Sequence, residues 1–335
     1  MTHSFIRAIP KAELHMHLEG ALEPELMLAL ARRNGVQLAA GSVEELRASY
    51  KFASLQSFLD LYYAGDATLV TQHDFAELTT SYLRHAAADN VRHAEVFFDP
   101  QSHTARGIPF ATVIGGIHEA LEAGREEFGI SSHLIMCFLR HLSEDDALAT
   151  LEQALPFRQW LIGVGLDSSE AGHPPSRFVR VFARARDAGL HVVAHAGEEG
   201  PPYYIREALE LLHAERIDHG VRAIEDSGLV DQLVRDRIPL TVCPLSNIAL
   251  RVFPTMDQHV LKRLLSAGLR VTINSDDPAY FGGYIADNYA AVYDALGLSR
   301  SDLHQLAANS FAASFLPDEA KRAFTSDLDN YFASH

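Results

Sequence analysis

Eight short apolar runs separated by helical segments constrain this chain more than any other feature. They are Ala12–Glu19, Arg92–Asp99, His133–Arg140, Leu161–Asp167, His191–His195, Arg216–His219, Pro239–Cys243 and Arg270–Asn274. Each is about as long as one strand and nearly continuously apolar, as strands covered on both faces are. The stretches between them, such as Ser176–Ala188 and Ile205–Ala214, carry helical spacing. Pro201 and Pro202 precede a helical stretch, and Gly189 and Gly268 stand where helices should end. About eight β–α repeats predict an α/β fold of the (β/α)₈ TIM-barrel type. An open doubly wound sheet would be favoured by a G-x-G-x-x-G turn after the first strand, and the sequence has none.

Between the first and second runs, residues from about 21 to 91 read as helices: Pro24–Asn34, Val43–Tyr63 and His73–Asp89. An insertion there belongs at the catalytic mouth of a barrel, where it would serve as a lid. Phe52, Phe58, Leu61 and Tyr62 are its candidate roof residues, or else ordinary core. No linker or low-complexity run divides the chain, so residues 1–335 are expected to form one domain. With 47% apolar residues it can bury a sizeable core. The net charge of −16 is a poor match for a phosphate backbone, and Lys and Arg form no block. Nucleic acid and membrane are therefore not expected partners. No signal-peptide pattern is present, and the two cysteines, Cys137 and Cys243, form no C-x-x-C pair. The first points to the cytoplasm; by the second, neither a disulfide framework nor a thiolate zinc knuckle is expected.

Several of these runs end in groups that do chemistry. The first carries His15, His17 and Glu19, the fifth runs into "HAGE" (195–198), the sixth into "DHG" (218–220) and the eighth into "SDDP" (275–278). In a TIM barrel these ends meet at one mouth. His15 and His17 are two apart in a presumed strand, so they face the same side. His-x-His also arises by chance in a chain with 18 histidines. His15, His17, His195 and Asp276 together, however, make a nitrogen–oxygen set suited to one catalytic zinc with a position left for water. Iron or manganese would also fit such donors.

The motifs "PKAELHMHLEG", "HAGEEGP", "RIDHG", "CPLSN" and "NSDDPAYF" occur in that order. In them the chain resembles the adenosine/adenine deaminase family of the amidohydrolase-type barrels, from about Ile9 to about Phe315. The resemblance implies one Zn²⁺ held by His15, His17, His195 and Asp276. It places the proton donor at Glu198, the catalytic histidine at His219 and a substrate-contacting aspartate at Asp277. The implied partner is a small purine base; oligomeric state is not implied.

The chemistry agrees. Replacing a ring amine by hydroxyl needs a water acidified towards neutral pH, which zinc provides. It needs a proton for ring N1, which a carboxyl of raised pKa three residues after a ligand can give. It needs a group to orient the water, which suits His219. Attack at C6 then expels ammonia, with Asp277 near N7. The other class of zinc deaminase uses H-x-E followed by P-C-x-x-C. His93-Ala94-Glu95 matches the first part, but no P-C-x-x-C follows. Binuclear barrel hydrolases usually need a fourth-strand lysine, and this strand end reads "GLDSSE". A non-catalytic scaffold is the other class of reading, but no ligand or acid is missing.

Three departures point to the adenine deaminase branch. Adenosine deaminases usually have H-x-H-L-D-G, D-L-A-G and R-I-G-H-G where this chain has "HMHLEG", "DSSE" and "RIDHG". The longer acid, Glu19, would crowd a ribose. The expected reaction is adenine to hypoxanthine in purine salvage, with N6-substituted adenines or adenosine as alternatives.

Overall fold

Apolar runs become parallel strands when helices cover their outer face and neighbouring strands fill the inner one. The computed structural model describes residues 2–335. Its strands are β1 (Lys11–Glu13), β2 (Val91–Phe98), β3 (Ser131–Leu139), β4 (Leu161–Asp167), β5 (His191–Ala196), β6 (Arg216–His219), β7 (Pro239–Val242) and β8 (Arg270–Ile273). They lie side by side in sequence order, each parallel to the next. The architecture is a (β/α)₈ barrel. Phe97, Ile135, Cys137 and Val193 fill part of its interior, while a larger apolar cluster packs between strands and helices.

The barrel closes beyond the regular strands. The first strand is shorter than the sequence suggests: the ladder ends at Glu13, and Glu19 opens a 3₁₀ turn, Glu19–Ala21. Residues 14–18 lie outside the regular ladder and divide their partners between two sides. Leu18 N donates to Phe97 O (2.9 Å), whereas His17 N donates to Asp276 O (2.9 Å) and Asp276 N to His15 O (3.1 Å). The segment thus stitches β8 to β2. The contact that shuts the barrel is the one that brings His15 and His17 beside Asp276.

The insertion is helical, but broken. After a short N-terminal helix, α1 (His3–Ala8), come α2 (Pro24–Asn34), α3 (Val43–Ser49), α4 (Leu55–Asp66) and α5 (Gln72–Ala88). The single helix expected over Val43–Tyr63 is two helices. Tyr50 ends α3, and Ser54 starts α4 with a capping box to Ser57, which satisfies amides a continuous helix would not leave open. Pro24 opens α2 and Gly35, at φ 67°, closes it. The stretch expected as Ser176–Ala188 begins with a 3₁₀ turn before the helix Val179–Asp187. The Ile205–Ala214 stretch ends in a π turn, Ala208–Leu212. On α4, Leu55, Phe58, Leu59 and Tyr62 recur at i, i+3, i+4 and i+7 and form its buried face. Phe58 packs on Phe281 (ring centroids 4.7 Å apart), anchoring α4 over the end of β8.

Candidate active site

The sharp turns that follow strands aim the polar residues. His219 (φ 62°) and Asp276 (φ 64°) adopt the left-handed backbone without being glycine. Such residues cost about 1–3 kcal/mol and persist only where the surroundings hold them. Here each turn swings a side chain inward at the C-terminal mouth. Gly20 must be glycine, because a Cβ there would lie 2.0 Å from Asp277 Oδ1.

His15, His17, His195, Glu198, His219, Asp276 and Asp277 meet at this mouth, all nearly fully buried. His17 Nε2 lies 3.1 Å from His195 Nε2 and 3.6 Å from Asp276 Oδ1; His15 Nε2 lies 3.3 Å from the same Oδ1. The Nε2 atoms of His15 and His17 both approach Asp276 Oδ1, so the two do face one point. Donor atoms at the corners of a tetrahedron of ~2.0–2.1 Å metal bonds stand roughly 3.3 Å apart. The observed separations match such edges. Two ring nitrogens at 3.1 Å also need a proton or a cation between them, because two lone pairs repel. The donor set therefore fits a divalent metal. His219 competes for membership: its nearest ring nitrogen, with those of His15 and His195 and an Asp276 oxygen, falls within one 4.8 Å group. Its Nε2, however, is 3.8 Å from Asp276 Oδ2 and 3.5 Å from Glu198 Oε2. It stands between the carboxylate and the acid.

Charges follow from burial. For Asp276, burial works upward, but His15, then His219 and His17, hold it well below the ordinary carboxylate range. Burial, reinforced by Asp276, Glu170 and Glu199, pushes Glu198 well above that range, which favours its protonated form. Asp277 is raised in the same way by burial and Asp276. Burial, then repulsion from His15, drops His219 to about 3, so its ring is neutral.

Sequence reasoning missed the supports of this site. Thr241 Oγ1 and backbone O lie 3.0 and 3.2 Å from His15 Nδ1, and the hydroxyl donates to Asp218 Oδ1 at 2.8 Å. That fixes the His15 proton on Nδ1 and turns Nε2 to the centre, the usual arrangement behind a ligating imidazole. Asp218 Oδ2 is also 3.6 Å from His195 Nδ1. Asp167 Oδ2 lies 3.6 Å from His17 Nδ1. Glu170 takes four backbone N–H groups, from Gly197 (2.6 Å), Glu198 (3.0 Å), Glu199 (2.8 Å) and Gly200 (2.8 Å). It holds the loop that carries Glu198. The only sequence signal for these residues was their place at strand ends.

The pocket beside the cluster is roofed by Leu55, Phe58, Leu59, Tyr62 and Tyr63 of α4 and flanked by Asp99, Asp167 and Ser168. Of the roof candidates, Phe58 and Tyr62 line it. Phe52 packs behind them, 5.3 Å from Phe58, and Leu61 faces a separate apolar recess. Glu19 does not line the pocket. Its Oε1 accepts from His103 Nε2 (2.9 Å) and Asp99 N (3.1 Å).

Comparison with known proteins shows the family. The family model described as adenosine deaminase matches residues 10–331. An adenine deaminase of Cupriavidus metallidurans is 61% identical over 98% of this chain and 93% of its own length. One from Geotalea uraniireducens is 58% identical over 99% of this chain and 94% of its own. The crystal structure of an adenine deaminase from Arthrobacter aurescens superposes with a TM-score of 0.96 at 51% identity, covering 97% of this chain and all of that one. An amidohydrolase from Burkholderia ambifaria, solved with bound Zn, gives 0.91 at 28% identity, covering 99% and 95%. An enzyme barrel of this topology, with these residues at its mouth and this likeness along its length, is a member of the adenosine deaminase family.

Proposed function

We propose that this enzyme hydrolyses adenine to hypoxanthine and ammonia, in purine salvage, using one zinc ion held by His15, His17, His195 and Asp276. Bound there, the metal would supply a water whose pKa is lowered to about 7. Glu198 carries the proton that ring N1 needs: it is buried, raised towards its protonated form by that burial, and 3.5 Å from His219 Nε2. Protonated N1 draws electron density from C6. His219, neutral and placed between Glu198 and Asp276, accepts or orients the proton of the attacking water. Asp277, raised by burial and Asp276 towards its protonated form, is placed to donate to N7. The α4 roof keeps bulk water from the ring. Both cysteines are free thiols, in keeping with a cytoplasmic protein.

One observation carries this reading: a buried carboxyl, Glu198, beside three convergent imidazoles and a carboxylate. The names of the relatives support the substrate. The test compares kcat/KM for adenine and adenosine by ammonia release, with metal content measured on the same sample. Strong preference for adenine is expected. Preference for adenosine would overturn the substrate, and inertness of metal-loaded enzyme towards both would overturn the adenine reading.

A further inference from the structure

The sequence suggested that Glu19 excludes a sugar by its length. Its carboxylate instead turns away from the pocket, bound to His103 and to the backbone N–H of Asp99. What it does is fix Asp99, and Asp99 does line the pocket.

Asp99 follows β2 and is 3% exposed. Tyr62 OH donates to its Oδ2 at 3.3 Å. Burial raises both Asp99 and Asp167, Asp167 further because Asp99 adds to it, and Asp167 leans on the same carboxyl. Beyond that contact, Oδ1 is buried without a hydrogen-bond partner in the protein. A carboxylate has about four acceptor sites, so at least one remains for a donor from the ligand. A buried acceptor left unmatched is costly.

The strand order says which ligand atom comes near. Asp277 follows β8 and Asp99 follows β2, so they flank the segment after β1. Glu198 follows β5, across the barrel from β1. A purine with N1 at Glu198 turns its opposite edge, N7–C8–N9, towards the β8–β1–β2 side. With N7 at Asp277, N9 comes next along that edge, on the Asp99 side. In the free base N9 bears a hydrogen; in a nucleoside it bears the sugar.

We propose that Asp99 is the residue that selects the free base, accepting N9–H through its unpartnered oxygen and leaving no complementary contact for an N9-substituted purine. The inference rests on the adenine reading above and deepens it. It relocates the discrimination from Glu19 to Asp99, with Glu19 as the brace behind it.

The test measures kcat/KM for adenine, 9-methyladenine and adenosine with the metal-loaded enzyme and with Asp99→Ala, recording metal content and melting temperature for both. The wild-type enzyme should prefer adenine to 9-methyladenine by about 10²-fold or more, as sites built to bond an N–H reject analogues lacking it. Asp99→Ala should lose about 10–100-fold on adenine, the worth of one bond to a charged acceptor, and nothing on 9-methyladenine, so that the ratio collapses. A wild-type ratio near one, or an unchanged ratio in a metal-loaded variant, would overturn the proposal. Should the variant not fold or not hold metal, the wild-type ratio decides alone. Should the wild-type enzyme deaminate none of the three, the adenine reading fails. Asp99 is then judged by equilibrium dialysis of hypoxanthine against 9-methylhypoxanthine, where equal affinities refute it.

Discussion

Replacing Glu170 by alanine removes the acceptor of four backbone N–H groups at once. Hydrogen bonds to a charged acceptor contribute about 1.5–3 kcal/mol each, which sets an upper bound of about 6–12 kcal/mol. Water entering the space recovers part, because the loop lies at the pocket mouth, leaving a net loss of about 3–5 kcal/mol. Much of it should appear as local opening of residues 197–200 rather than global unfolding. Three readouts separate these. Amide exchange at 197–200 should speed up, the melting temperature should fall by up to about 4–7 °C, and kcat should fall by about 10²-fold, because Glu198 loses its alignment while the metal is retained. Glu170→Gln keeps an acceptor for part of the set and should fall between wild type and alanine. The reasoning is refuted if Glu170→Ala melts within about 1 °C of wild type and keeps its kcat. The four bonds would then hold nothing that catalysis needs.

Other consequences are separable. Glu198→Gln should keep the metal and melt normally while losing nearly all turnover, about 10²–10⁴-fold for loss of a general acid; normal activity would remove it as the proton donor. His17→Ala should lower both metal content and activity, and added metal should restore activity only at higher concentration; unchanged metal content would give its place to His219. Chelation of the wild-type enzyme should abolish ammonia release and lower the melting temperature, because a ligand bound only to the folded state stabilises it; an unaffected rate would refute metal dependence. His259 is buried, its Nδ1 accepts from Leu261 N (3.1 Å), its Nε2 pairs with Asn247 Oδ1 (3.1 Å), and burial lowers it to about 4 from 6.5. The unfolded chain therefore takes up its proton first. The site's stability is full above about 6.5 and falls by about 3 kcal/mol as pH drops to about 4. His259→Gln should flatten the melting curve over that window, and an unchanged pH slope would refute it.

Much of the fold was legible because its signals are local. A strand buried on both faces must be apolar along its whole length, so β2 to β8 appear within a few residues of their apolar runs. The candidate ligands were legible for a related reason: barrel chemistry gathers at strand ends, and His15, His17, His195 and Asp276 each follow or end such a run. Periodicity did not reveal that β1 stops at Glu13 or that α3 and α4 are separate. Both depend on where backbone amides find partners. Nor did it reveal Glu170, whose partners are amides with no side-chain signature, 27 to 30 residues away. Thr241 and Asp218 act on His15 across the barrel, more than 200 residues along the chain. Glu19 illustrates the division: the sequence supplied its identity and length, but whether it met a sugar or a histidine was decided by His103 arriving from the short helix after β2. Burial patterns are written residue by residue. The direction of a polar side chain is set by partners that come together only when the barrel closes.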